Sequence, residues 1–164
     1  STTRTSRQRN DPRNRQLTLD RFRLVVGVDG SPGSARALKW AASLAPMLAT
    51  VPLAVLVHDP TADSYPHPGA STWKYHGQQD AERVAAEVGS DSGVGIEVRI
   101  ASGNAVEELA RIADELAPSM VVVGTRSGGF SPHRILGRVP MELLHHCAQP
   151  VVLVPHARAD GDFR

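Results

Sequence analysis

Two hydrophobic patterns alternate along most of this chain. In Leu24-Val25-Val26-Gly27-Val28, Pro52-Leu53-Ala54-Val55-Leu56-Val57, Met120-Val121-Val122-Val123 and Val151-Val152-Leu153-Val154, neighbouring positions are apolar. Between them, apolar residues recur every three or four positions. The first pattern predicts strands covered on both faces, the second amphipathic helices. A first strand is expected over 23–28. Ser34 to about Ala49 follows as a helix, with Ala37, Leu38, Ala41, Leu44, Ala45 and Leu48 at helical spacing. Ser31-Pro32 or Ser34 would cap its start, Pro46 would kink or shorten its last turn, and Trp40 is expected to lie buried against the sheet. The second strand, Pro52–Val57, leads into 59–75, which holds Pro60, Pro66, Pro68 and Gly69 and little periodicity.

A helix from Gly77 to Val88 places Ala81, Val84, Ala85 and Val88 on one face. Ile96–Ile100 reads as a third strand. Asn104 with Glu107 has the form of a capping box for a helix over Ala105–Leu116. Strand Met120–Val123, a glycine-bearing loop, a helix around Val139–Cys147 and strand Val151–Val154, closed by Pro155, complete the series. Strictly alternating strands and helices predict an α/β fold: a five-stranded, parallel, doubly wound sheet with helices on both faces. If the strand order reverses between strands one and four, Asp29 and Gly124 flank one crevice at the switch point, where such sheets bind ligands.

Composition bounds the rest. At 164 residues, one domain is expected over 22–156, with a basic, disordered tail over 1–21 and a short tail over 157–164. Net charge is +1, but residues 1–23 carry seven arginines against Asp11 and Asp20. That arm could meet nucleic acid or an acidic partner. It has no aromatic side chain for base stacking before Phe22 and no nucleic-acid motif, which disfavours nucleic acid. The lack of a long apolar run predicts no membrane span. With no hydrophobic leader and a single cysteine, Cys147, a cytoplasmic location is expected.

Candidate chemistry centres on the strand-end glycines. Gly124-Thr125-Arg126-Ser127-Gly128-Gly129, running on to Gly137, would offer backbone N–H groups to an anion. The turn Asp29-Gly30-Ser31 after the first strand is its counterpart. Three established site patterns are absent: the P-loop, the Gly-x-Gly-x-x-Gly dinucleotide fingerprint and the Gly-x-Ser-x-Gly nucleophile elbow. Asp29 could hold a metal ion bound to phosphates, or a ribose hydroxyl, or cap the helix behind it. His145-His146-Cys147 points in different directions on a helix and is no chelating set, so no metal site is expected. His58 reads as a strand-end packing residue, and Trp73 as packing within the long loop.

These residues resemble the universal stress protein (UspA-like) family over 22–156. Val26-Gly27-Val28-Asp29-Gly30-Ser31 is similar to that family's first strand and acidic turn, and Leu56-Val57-His58 to its second strand end. Gly124-x-x-Ser127-x9-Gly137-Arg138-Val139, with Pro150-Val151-Val152-Leu153-Val154, is similar to its last third. The resemblance implies an adenine nucleotide alpha hydrolase-like fold with strand order 3-2-1-4-5 and a homodimer joined through Val151–Val154. It further implies ATP with magnesium, or a related adenine nucleotide. The base would lie near Val57, His58 and Asp59, with ribose and phosphates over Gly27, Val28, Asp29, Gly124, Thr125, Ser127, Gly137, Arg138 and Val139.

The sequence departs from the family's ATP motif at Ser127 and Arg138, and again at Val139-Pro140, where Val-Ser is usual. Ser127 stands where a second glycine is usual, and Arg138 where a hydroxyl residue is usual. A non-glycine residue forced to positive φ costs on the order of 1–3 kcal/mol, which weakens a phosphate loop without forbidding it. Arg138 could replace the lost hydroxyl with a bidentate grip on phosphate or point away. Two functions follow. One is a nucleotide-dependent stress-response factor, with no catalytic residues and at most slow ATP hydrolysis, because no general base or activated nucleophile stands out. The other is a dimeric interaction module whose nucleotide site has lapsed.

Overall fold

The computed structural model describes residues 23–58, 77–125 and 137–155. The expected tails, Asp59, Ser127, Trp73 and most of the two long loops lie outside them. Within them the order is β1 (Leu24–Gly27), α1 (Pro32–Leu48), β2 (Leu53–His58), α2 (Gly77–Ser92), β3 (Glu97–Ser102), α3 (Ala105–Leu116), β4 (Met120–Gly124), α4 (Arg138–His146) and β5 (Val151–Val154).

All neighbouring strands are parallel, in the order β3-β2-β1-β4-β5. β1 is central, with Val25 level with Leu53 on one side and Val121 on the other. The chain winds outward from β1 to β3, then crosses to β4 and β5. Right-handed crossovers therefore put α1 and α2 on one face and α3 and α4 on the other. Alternate residues of the same strand feed two cores. Leu24, Val26 and Val122 pack with Ala37, Leu38 and Ala41 of α1 and Val84 of α2. Val25, Val121 and Val123 pack with Leu109, Ile112 and Leu143 of α3 and α4.

Helix ends follow their side chains. Ser31 caps α1, its hydroxyl accepting the Ser34 N–H at 3.2 Å, and Pro32 fills the first turn, where no amide partner is needed. Pro46 is accommodated inside α1, which closes at Ala49 in the left-handed region (φ 48°). Asn104 caps α3 by accepting from Val106 and Glu107 N–H at 3.0 and 3.2 Å.

Three sequence expectations need correction. Helix α2 runs one turn past Val88 to Ser92, and β3 runs from Glu97 to Ser102 instead of Ile96 to Ile100. Trp40 is not buried: it is 36 % exposed. At 100° per residue it lies on the flank of α1, beside rather than beneath the Ala37–Ala41 stripe.

Candidate functional site

The strand reversal brings the ends of β1 and β4 together. A crevice opens there, lined by Gly27, Val28, Asp29, Ser34, Val55, Val57, Ala105, Leu109, Val123, Gly124, Val139 and Pro140. Six of the expected residues therefore share one wall system: Gly27, Val28, Asp29, Val57, Gly124 and Val139. Val55, Val57, Leu109 and Val123 give it an apolar floor. Asp29, at its mouth, is exposed.

The turn after β1 is built by short-range hydrogen bonds. The Asp29 carboxylate accepts the Ser31 N–H at 2.9 Å. The Ser34 hydroxyl donates to the Ser31 carbonyl at 2.9 Å and accepts the Asp29 N–H at 3.3 Å. Asp29 thus shapes the turn but does not cap α1; Ser31 does. Gly30 adopts φ +80°, and a Cβ there would meet the Asp80 side chain at 2.9 Å. Asp80, from the first turn of α2, therefore closes over this turn.

At the other wall, the Thr125 N–H donates to the Val154 carbonyl (3.1 Å), and the Gly137 N–H donates to the Thr125 carbonyl (2.7 Å). These bonds set the start of α4 beside the end of β4. Gly137 is the N-cap and supplies no side-chain bond. Pro140 has no amide hydrogen, so only the Arg138 and Val139 N–H groups of the first turn remain for an outside acceptor. Arg138 does not line the crevice. Its guanidinium stands 3.7 Å from Glu142, one turn along α4, and its side chain is 60 % exposed.

Gly124 has a structural reason of its own. A Cβ on it would come within 2.9 Å of the Gly33 carbonyl carbon and oxygen. The glycine thus lets the first turn of α1 sit directly on the end of β4.

His58 is not part of the crevice. Strand alternation sends it to the other face of β2 from Val57. There it joins Leu56, Ile100, Ser102, Gln78 and Glu82 around an open groove of about 660 Å³. The crevice itself is small, about 80 Å³, and open to solvent on one side. A larger ligand would have to extend through its mouth. Sequence reasoning did not place Val55, Ala105, Leu109 or Val123 at the site, and gave Ser34 only as a helix cap. Leu109 belongs to the buried apolar face of α3 with Val106, Ile112 and Ala113, but only the fold brings that face to the β1 end. Among the described residues, no group of three His, Cys, Asp or Glu side chains could hold a metal ion, and no helix is long and apolar enough to cross a membrane.

A five-stranded parallel sheet of order 3-2-1-4-5, with its reversal opening between two short turns, defines a doubly wound α/β domain with a switch-point crevice. The sequence model of the universal stress protein family matches residues 21–155. The chain belongs to that family. Universal stress protein Rv1996 of Mycobacterium tuberculosis is 31 % identical over 153 residues, covering 80 % of this chain and 47 % of the relative. The chain thus spans about half the length of the curated relatives it matches. Among solved structures, a universal stress protein in complex with cAMP superposes with a TM-score of 0.59 at 23 % identity, covering 82 % of this chain and 96 % of that one. The universal stress protein from Archaeoglobus fulgidus in complex with dAMP gives 0.54 at 21 % identity, covering 80 % and 96 %. These two likenesses show the fold.

Proposed function

We propose that this universal stress protein domain binds an adenine nucleotide, ATP with magnesium or a related mononucleotide, at the crevice between β1 and β4. The observation that carries this reading is the meeting of three elements in one place: the acidic turn at Asp29, the glycine end of β4 and the first turn of α4. Apolar Val57 and Leu109 suit a base, and exposed Asp29 suits a ribose hydroxyl or a phosphate-bound cation. The Arg138 and Val139 amides, at the positive end of a helix, suit phosphate. Asp59 and Ser127 complete the candidate set, with Arg138 turning from Glu142 to the phosphates. Family members solved with cAMP and dAMP support adenine as the base. The domain acts as a nucleotide-dependent stress-response factor in the cytoplasm, with no catalytic group beyond slow ATP hydrolysis, and pairs with a second copy through Val151–Val154. Titration of the purified chain with labelled ATP and magnesium tests this. Saturable binding is expected, and none below millimolar ends the reading.

The pairing of Arg138 with Glu142, the missing amide at Pro140 and the small size of the crevice favour a second reading. In it the nucleotide site has lapsed and the domain works as a dimeric interaction module. The double substitution Ser127→Gly with Arg138→Ser separates the two. Binding created in the variant and absent in the parent supports the second.

A further inference from the structure

We propose that β3 is a docking edge for a second copy of this chain, added antiparallel about a two-fold axis at Val98. What recognises the second copy is the alternation of Glu97, Val98, Arg99 and Ile100, which complements itself in that one register. The inference is independent of the nucleotide reading and leaves Val151–Val154 untouched.

Among the described residues, β3 has a neighbouring strand, β2, on one side only. The Glu97 N–H donates to the Pro52 carbonyl at 3.0 Å and the Gly103 N–H to the His58 carbonyl at 2.8 Å, both toward β2. Backbone groups alternate in direction along a strand, so Val98, Ile100 and Ser102 turn their N–H and C=O groups outward. Side chains alternate between the two faces. Ile96, just before β3, packs in the core under α1 and α2, and Ala101 in the core under α3 and α4. Val98 and Ile100 share the face of Ile96, where they are 39 % and 42 % exposed. Glu97 and Arg99 share the face of Ala101. Arg99 pairs with Glu115 of α3 at 3.2 Å, through two of its five N–H donors. Glu97 is exposed and has no ion pair among the described residues.

Charges on an edge discourage strand addition in general, but their spacing here admits one register. An isologous contact runs β3 antiparallel to its copy, with outward-turned residues opposite one another in hydrogen-bonded pairs. Of the axes from Glu97 to Ile100, those at Glu97 and Arg99 set like charges face to face. An axis at Ile100 sets Arg99 against Ala101 and Glu97 against Gly103, so no charges meet. An axis at Val98 sets Glu97 of each copy against Arg99 of the other. These are non-hydrogen-bonded pairs, in which side chains approach most closely. Opposite charges so placed stabilise a sheet, and like charges oppose it. The same axis sets Val98 against its counterpart and Ile96 against Ile100 on the other face, which covers the half-exposed apolar row. Arg99 can keep Glu115 and take Glu97 of the second copy with its remaining donors. Glu97 thereby gains the counter-ion it lacks within its own chain.

The test uses the full chain. Weight-average mass is followed by sedimentation over a dilution series for the parent, Glu97→Arg, Arg99→Glu and an equimolar mixture of the two variants. Association through any other surface is common to all four and drops out of the comparison. Each variant alone meets its own charge and should associate more weakly by about ten-fold or more. In the mixture one copy is basic at both positions and the other acidic at both, so both cross-strand pairs return and association should recover. Glu97→Arg leaves the Arg99–Glu115 pair in place, so its effect owes nothing to the loss of that contact. The register is read separately with Val98→Cys, combined with Cys147→Ser because Cys147 is the chain's single cysteine. An axis at Val98 brings the two Cα atoms to about 5.5 Å, inside the range for a disulfide. Mild oxidation should then give a covalent dimer, formed about ten-fold more slowly once Glu97→Arg is added. A parent whose mass equals that of both variants at every concentration overturns the proposal. So does a mixture that associates no better than its components, or a Val98→Cys dimer that forms equally fast with and without Glu97→Arg.

Discussion

Replacing Gly124 with alanine adds one methyl group where two backbones meet. The new Cβ would lie 2.9 Å from both the carbonyl carbon and oxygen of Gly33, and 3.4 Å from the Ser34 nitrogen. Ordinary contacts need several tenths of an ångström more, and no side chain can rotate to provide it. Either the first turn of α1, held by the Ser31 cap and Pro32, must lift, or the end of β4 must move. Overpacking of this kind costs about 1–3 kcal/mol. At roughly 2–4 °C per kcal/mol for a domain of this size, Tm should fall by about 2–12 °C. Gly27→Ala is the control. There the nearest atoms are Val123 Cγ1 at 3.0 Å and Leu109 Cδ1 at 3.3 Å, the ends of side chains that can give way. Its loss should be smaller, below about 1.5 kcal/mol. Thermal and urea unfolding followed by circular dichroism measure both. A Gly124→Ala protein as stable as the parent, or a Gly27→Ala protein that suffers more, refutes the packing argument. The glycine would then have to be explained by ligand contact alone.

Other substitutions probe the same frame. Leu143→Ala removes the largest fully buried side chain of α4. It should cost about 2–5 kcal/mol in urea unfolding. Ser31→Ala deletes the α1 cap and should cost about 0.5–2 kcal/mol, a loss visible in the same assay. Arg138→Ala touches only an exposed pair with Glu142 and should change stability by less than about 0.5 kcal/mol; a larger shift in the urea midpoint would contradict the exposed placement. Side-chain hydrogen bonds lower the Glu108 and Glu115 carboxyls below 4.5, from Arg111 and Arg99 respectively. Because the folded values are the lower ones, the stabilisation is present above the unfolded value and is lost as pH falls through the folded ones. The difference in urea midpoint between the parent and Arg99→Ala should accordingly shrink as pH falls from neutral through and below the ordinary carboxylate range.

The amino-acid sequence alone determined the order of strands and helices, because runs of adjacent apolar residues and helical spacing are local properties of the chain. It also determined the cap at Asn104 and narrowed that of the first helix to Ser31 or Ser34, since a cap needs only its own next three residues. Once the resemblance was admitted, it carried the strand order too. Tertiary structure decided what each glycine and charge is for. Gly124 reads as a ligand loop until the backbone of Gly33, some ninety residues earlier, is seen against it. Val57 and His58 are neighbours in sequence, but β2 pairing sends one into the crevice and the other into a groove on the opposite face. Trp40 fits an inward helical position by composition, yet it lies beside the buried stripe of α1 and is exposed. Short-range patterns fix which elements form. The purpose of a residue depends on what the sheet brings to it, and that is a contact between distant parts of the chain.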